Sequence, residues 1–132
     1  MSYLIDTDWV VAALKGRADA QTLLTSLSEE GLAVSLITYG EIYEGIYHGA
    51  DPLRHEQVFL AFLRDVDILP LNESIMQEFA RVRGELRAQG NLIGDFDLLI
   101  AATAIHHDLT LVTRNTAHFQ RVPNLSLYQF VR

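Results

Sequence analysis

The sequence predicts a three-layer α/β/α fold with a central, mostly parallel sheet of four to five strands flanked by helices. Short apolar runs alternate along the chain with longer segments of helical periodicity. Strands that are separated by helices require crossover connections, which produce a parallel sheet covered on both faces. The chain has 132 residues, 49% of them hydrophobic, which is enough for one core. We therefore expect a single domain over residues 1–132.

In the first half of the chain, apolar runs predict strands, while proline and glycine mark the ends of helices. The runs at 3–5 and 32–37 predict two buried strands. Pro52 suits a first helical turn, and Gly16 and Gly31 suit helix ends. The predicted helices run from 7 or 8 to about 14, from 19 to about 29, from 38 to about 47 and from 51 to about 63.

The second half of the chain repeats this alternation. A long helix from 74 to about 89 is closed by Gly90. Another helix begins at Asp95 and reaches about 107. The remaining strands are predicted at 66–69, 109–113 and 125–127.

Acidic and amide residues from separate parts of the chain are expected at one edge of this sheet. Asp6 ends the first strand, and Glu41 lies one helical turn beyond the second. Asp95 and Asp97 open the helix before the fourth strand, and Asn115 follows that strand. In open α/β sheets, ligands bind outside the carboxyl ends of the strands. The sequence therefore places a candidate site at this edge.

Each of these acids also has a structural explanation. Glu41 fits the end of a capping box that begins at Thr38. Asp95 and Asp97 occupy a first helical turn, where the helix dipole favours carboxylates, and Asp6 suits the N-cap of the first helix. Taken together, however, several acids at one sheet edge repel each other unless cations neutralise them. An all-oxygen site in a chain without cysteine favours magnesium or manganese over zinc.

Four segments carry a resemblance to a known family. They are YLIDTD at 3–8, SLITYGE at 35–41, IGDFDLLIAA at 93–102 and LVTRNTAHF at 111–119. In order and spacing they resemble PIN-domain ribonucleases, and among these the VapC-type toxins of bacterial toxin–antitoxin pairs. The resemblance implies a parallel sheet flanked by helices and RNA hydrolysis that depends on Mg²⁺, with Mn²⁺ as a substitute. It also implies a homodimer and inhibition by a small antitoxin in a hetero-oligomer.

The resemblance also implies roles for individual residues. The catalytic, metal-binding acids would be Asp6, Glu41 and Asp97. Many PIN domains have a fourth acid where this chain has Asn115, and a neutral amide there can bind a metal-ligating water or a phosphate but adds no charge. Asp95 is a further candidate ligand, with helix capping as its alternative.

Three residues beside these acids are candidates for contacts with the substrate. The hydroxyls of Thr7 and Thr113 can donate hydrogen bonds near a metal or phosphate. Arg114, just past a predicted strand end, can pair with a phosphate or remain a solvated loop residue.

Two other functions compete with RNA hydrolysis. The Asp6-Thr7-Asp8 segment after a strand also resembles the start of a haloacid-dehalogenase-type phosphatase site. Such a site needs a lysine near a later strand end, and the only lysine of this chain, Lys15, lies within the first predicted helix. A catalytically inert PIN-like binding protein stays open as an alternative.

The net charge and the N-terminal sequence bear on the type of protein and on its location in the cell. The net charge of −7 argues against a general nucleic-acid binder, which usually carries a basic surface, but a metal-dependent nuclease needs a locally acidic site. The N-terminus lacks the features of a signal peptide, and no apolar run is long enough to span a membrane. We expect a cytoplasmic protein.

Overall fold

A five-stranded parallel sheet forms the centre of the computed structural model, which describes residues 2–130. The strand order is β3-β2-β1-β4-β5, and all neighbouring pairs are parallel. The strands are β1 Tyr3–Ile5, β2 Leu32–Ser35, β3 Val66–Leu69, β4 Thr110–Val112 and β5 Ser126–Leu127. The predicted parallel α/β sheet is confirmed, and β1 lies at its middle.

Helices connect the strands and cover both faces of the sheet. They are α1 Thr7–Leu14, α2 Ala18–Leu27, α3 Leu36–Tyr47, α4 Pro52–Leu63, α5 Glu73–Ala88, α6 Asp95–His106 and α7 Thr116–Phe119, with a short 3-10 helix at Ser28–Glu30. The short helix α7 was not expected from the sequence. Within residues 2–130, no helix combines the length and apolar character that a membrane crossing requires.

The core consists of two apolar layers, one on each side of the sheet. Side chains of successive strand residues point to opposite faces. Leu4 of β1 therefore packs with α5 and α6, while its neighbour Ile5 packs with α1 to α4. On β2, Ala33 packs on the side of α5 and α6, and Val34 packs on the side of α1 to α4. This double burial explains why the strands are continuously apolar and confirms the three-layer arrangement.

The start of α3 differs from the prediction. The sequence predicts a strand through Ile37 and a helix that begins at Thr38, but β2 ends at Ser35 and α3 begins at Leu36. The Ser35 side chain caps this helix by accepting a hydrogen bond from the Ile37 N–H at 3.0 Å. The expected helix start and its capping box are therefore wrong, because serine at the N-cap satisfies a free amide of the first turn. Glu41 lies within the helix.

Candidate active site

Asp6 is a buried carboxylate at the carboxyl end of the central strand, where it forms the N-cap of α1. The residue is 6% exposed. One carboxylate oxygen accepts a hydrogen bond from the Thr7 amide at 2.8 Å, and the other accepts one from the Thr113 hydroxyl at 2.7 Å. These two donors fix the carboxylate, but neither carries a positive charge.

The environment of Asp6 favours the protonated acid. Its pKa is raised to about 7, mainly by burial and also by the negative charges of Asp8 and Asp97, against the lowering effect of the hydrogen bonds from Thr113 and Thr7. Desolvation penalises the charged form of an acid, and nearby like charges add to that penalty. Because both donors are neutral, a bound cation would stabilise the ionised carboxylate.

Glu41 is connected to Asp6 through Thr7. The Thr7 hydroxyl donates a hydrogen bond to Glu41 Oε1 at 2.8 Å and lies 3.0 Å from the hydroxyl oxygen of Thr38, which is fully buried. Because Thr7 has a single hydroxyl proton, Thr38 must be the donor in the second contact. The predicted neighbourhood of Asp6, Thr7 and Glu41 is therefore present, with a threonine hydroxyl between α1 and α3.

Asp97 lies in the first turn of α6 and faces the same region. Burial raises its pKa, which the His118 ring beside it lowers and the charge of Asp8 raises. His118 Nδ1 lies 3.9 Å from the Asp97 carboxylate and 3.0 Å from the Asn115 side-chain nitrogen. The backbone N–H of Asn115 donates a hydrogen bond to the Thr113 hydroxyl oxygen at 3.0 Å. This chain of contacts joins the fourth strand end to Asp97.

Asp8 and His118 belong to this site although the sequence did not single them out. One oxygen of Asp8 accepts a hydrogen bond from the Arg114 amide at 2.9 Å, so that Asp8 holds the segment after β4. Burial raises the pKa of Asp8. The available signal was the spacing of Asp6 and Asp8 at the start of α1. For His118 the spacing offered no such signal, because its neighbour Asp97 comes from another helix.

Arg114 and Asp95 lie at the site but have other partners. The Arg114 guanidinium stacks on the Trp9 ring at 4.2 Å from its centroid and lies 3.3 Å from an Asp19 oxygen. Asp95 pairs with Arg83 at 2.9 Å. A phosphate contact by Arg114, or metal ligation by Asp95, would require these contacts to be exchanged.

The donors of this site suit a hard cation that keeps part of its water. All are carboxylate, hydroxyl and amide oxygens apart from His118, and Mg²⁺ is commonly held by one or two carboxylates together with several waters. Among residues 2–130, no three His, Asp or Glu side chains stand close enough to enclose one ion. The donor chemistry therefore fits the metal, while direct ligation by Asp6, Glu41 and Asp97 together stays a prediction.

Removal of the Thr113 hydroxyl should change the acidity of Asp6. In Thr113→Val, Asp6 loses one of its two hydrogen-bond donors, so we expect its pKa to rise above the value of about 7. Carbon-13 NMR titration of the aspartate carboxyl groups measures this midpoint. Thr113→Ser keeps the hydroxyl and should retain the midpoint of the unmodified protein. An equal midpoint in the valine variant would contradict the role of this hydrogen bond.

Comparison with known proteins identifies the family. The PIN domain profile matches residues 3–125. Ribonuclease VapC2 of Rickettsia felis is 31% identical over 129 residues, which is 96% of each chain. This chain belongs to the VapC group of the PIN-domain family. The tRNA(fMet)-specific endonuclease VapC of Shigella flexneri is 27% identical over 125 residues and covers 95% of each chain.

Solved VapC-containing structures have the same fold. The crystal structure of VapBC2 from Rickettsia felis bound to a DNA fragment from its promoter matches with a TM-score of 0.90 and 31% identity. The match covers 97% of this chain and 98% of that one. The family resemblance read from the sequence is thereby confirmed, and the carboxyl ends of β1 and β4 with the first turn of α6 form the candidate active site of this PIN domain.

Proposed function

We propose that residues 1–132 form a single PIN domain that is a magnesium-dependent endoribonuclease and acts as the toxin of a cytoplasmic toxin–antitoxin pair. One observation carries the proposal. Asp6 is 6% exposed at the end of the central strand, with Asp8 and Asp97 as neighbouring charges and only neutral donors as partners. A bound cation would offset the cost of ionising an acid in such a place. The names of the ribonuclease relatives support RNA as the substrate.

Asp6, Asp97 and Glu41 are the proposed ligands of Mg²⁺, for which Mn²⁺ substitutes. A bound divalent cation supplies charge for the phosphate and lowers the pKa of a coordinated water. Thr7 and Thr113 hold the Asp6 carboxylate in one orientation before substrate arrives. His118 lies beside Asp97 and contacts Asn115, and the side-chain N–H groups of both residues can donate hydrogen bonds to a phosphate oxygen. The products would carry 5′-phosphate and 3′-hydroxyl ends.

An antitoxin partner and a homodimer belong to the same proposal. VapBC complexes are among the structures that resemble this chain. A net charge of −7 suits a basic partner, because opposite net charges speed association. An inert PIN-like binding protein is the alternative, and the retained set of Asp6, Glu41 and Asp97 favours the enzyme.

Cleavage of RNA by the purified, antitoxin-free protein tests the proposal. We expect cleavage with Mg²⁺ or Mn²⁺, none with EDTA, and recovery when Mg²⁺ is added back. End-labelling of the fragments should detect 5′-phosphates. Cleavage that persists in EDTA, or fragments with cyclic phosphate ends, would contradict a metal-activated water. If no RNA is cut under any of these conditions, the inert alternative is correct.

A further inference from the structure

A small cavity adjoins the candidate active site on the side of α3. It has a volume of about 300 Å³ and is lined by Leu36, Ile37, Gly40, Glu41, Glu44 and Phe96. Glu41 belongs both to this cavity and to the carboxylate site. The cavity and the carboxylate site are therefore neighbours that share one residue.

Phe96 is an exposed aromatic residue that lines the cavity. It stands between Asp95 and Asp97 in the first turn of α6 and is 57% exposed. Leu36, in the first turn of α3, is 42% exposed. Exposed aromatic and aliphatic side chains that face one cavity beside polar groups are typical of ligand sites. An aromatic ring in such a position can stack on the face of a planar ligand.

Gly40, which lies in α3 and lines the cavity, has no side chain that would fill it. A Cβ atom built on Gly40 would meet no other atom within 4 Å. Glycine within a helix costs about 1 kcal/mol relative to alanine, and packing against a neighbour does not require it here. The missing side chain instead keeps space free between Phe96 and the two glutamates.

The charges around the site favour recognition through a neutral group. Two arginines with partners at the site are engaged, Arg114 with Asp19 and Trp9 and Arg83 with Asp95. In a chain of net charge −7, phosphate contacts with free cations can supply little affinity. Stacking of a base on an aromatic side chain does not depend on such contacts.

We propose that this cavity binds the nucleobase next to the scissile phosphate, stacked on Phe96, and that Glu44 reads its Watson–Crick edge. The inference rests on the proposed function. Glu44 is exposed, and no hydrogen bond or ion pair within residues 2–130 engages its carboxylate. A carboxylate only accepts hydrogen bonds. Guanine presents two adjacent N–H donors on that edge, whereas uracil presents one, so the cavity favours guanine.

Cleavage of a random-sequence RNA pool, with sequencing of the fragment ends, tests the proposal. The unmodified protein should show guanine enriched at one position beside the cut. We expect Phe96→Ala to raise KM about tenfold and to weaken the enrichment, while Phe96→Tyr keeps both. Glu44→Gln should reduce the preference for guanine, and Gly40→Leu, which fills the cavity, should act as Phe96→Ala does. Leu53→Ala, an exposed apolar residue outside the cavity, serves as the control.

A second readout separates failure of this site from failure of the proposed function. Guanosine 5′-monophosphate should shift the NMR signals of the Phe96 ring, and uridine 5′-monophosphate should do so more weakly. Such a shift without RNA cleavage would retain the base site and overturn the nuclease. Cleavage with an unchanged base preference in Phe96→Ala and Glu44→Gln would overturn the base site alone. If Phe96→Ala instead converts a dimer into monomers in sedimentation with base preference intact, the cavity is an interface between copies, and the inference is wrong.

Discussion

Asp6→Asn should make the metal-free protein more stable at pH 8 while abolishing RNA cleavage. The folded-state pKa of about 7, against 3.8 for an unperturbed aspartate, corresponds to a penalty of about 4 kcal/mol once the group is ionised. Asparagine removes this charge and is equally suited to the N-cap of α1. We therefore expect a rise in melting temperature on the order of 10 °C at pH 8 in EDTA.

The size of this stabilisation depends on pH. Below pH 3.8 the acid is protonated in both the folded and the unfolded chain, and Asp6 contributes nothing. Between 3.8 and about 7 the unfolded chain releases its proton while the folded one keeps it, so the free energy of unfolding falls as pH rises. Above about 7 the penalty is complete. Asp6→Asn should thus gain little at pH 4 and most at pH 8.

Asp65→Asn provides the matched control, because Asp65 is an exposed acid before β3, outside the described contacts of the site. It should change neither the melting temperature nor cleavage appreciably. At pH 8 in EDTA, an Asp6→Asn protein that is less stable than the unmodified one would contradict this account, in which the Asp6 carboxylate is buried with only neutral hydrogen-bond donors.

Mn²⁺ should stabilise the unmodified protein, and more strongly at pH 8 than at pH 6. The ion competes with the proton for Asp6, so its affinity rises as pH passes the pKa of about 7. At a free concentration of 100 times the dissociation constant, the gain in the free energy of unfolding is about 2.7 kcal/mol. Thermal unfolding over a series of Mn²⁺ concentrations measures it.

Substitution of individual acids tests whether the stabilising Mn²⁺ ion binds at this site. Asp6→Asn and Asp97→Asn should lose most of it, and Glu41→Gln should reduce it. Asp95→Asn should keep it, because Asp95 is paired with Arg83. Equal stabilisation of Asp6→Asn and the unmodified protein by Mn²⁺ would place the ion elsewhere.

The fold was largely predictable because strand burial leaves a clear pattern in this sequence. Neighbouring strand residues such as Leu4 and Ile5 point to opposite faces of the sheet, and both are apolar, as a sheet with helices on each side requires. The start of α3 was not predictable from that pattern. Leu36 and Ile37 continue an apolar run, and only the geometry of Ser35 as a cap shows that the helix has begun. The four residues of α7 are too few for a periodic signal.

The candidate site was predictable as a location but not in its contacts. Parallel strands bring Asp6 and Thr113 to one sheet edge, which the strand order suffices to predict. The hydrogen bond from the Thr7 hydroxyl to Glu41, by contrast, depends on how α1 packs against α3. The stacking of Arg114 on Trp9 joins residues far apart in the chain and has no sequence signal.

Diffraction from a crystal soaked in Mn²⁺ and recorded at the manganese absorption edge tests the central claim most directly. That claim is that the buried Asp6 carboxylate binds a divalent cation together with Asp97. We predict an anomalous peak within bonding distance of both carboxylates, and none in crystals of Asp6→Asn. A fully occupied peak elsewhere, with no density at Asp6, would contradict the account.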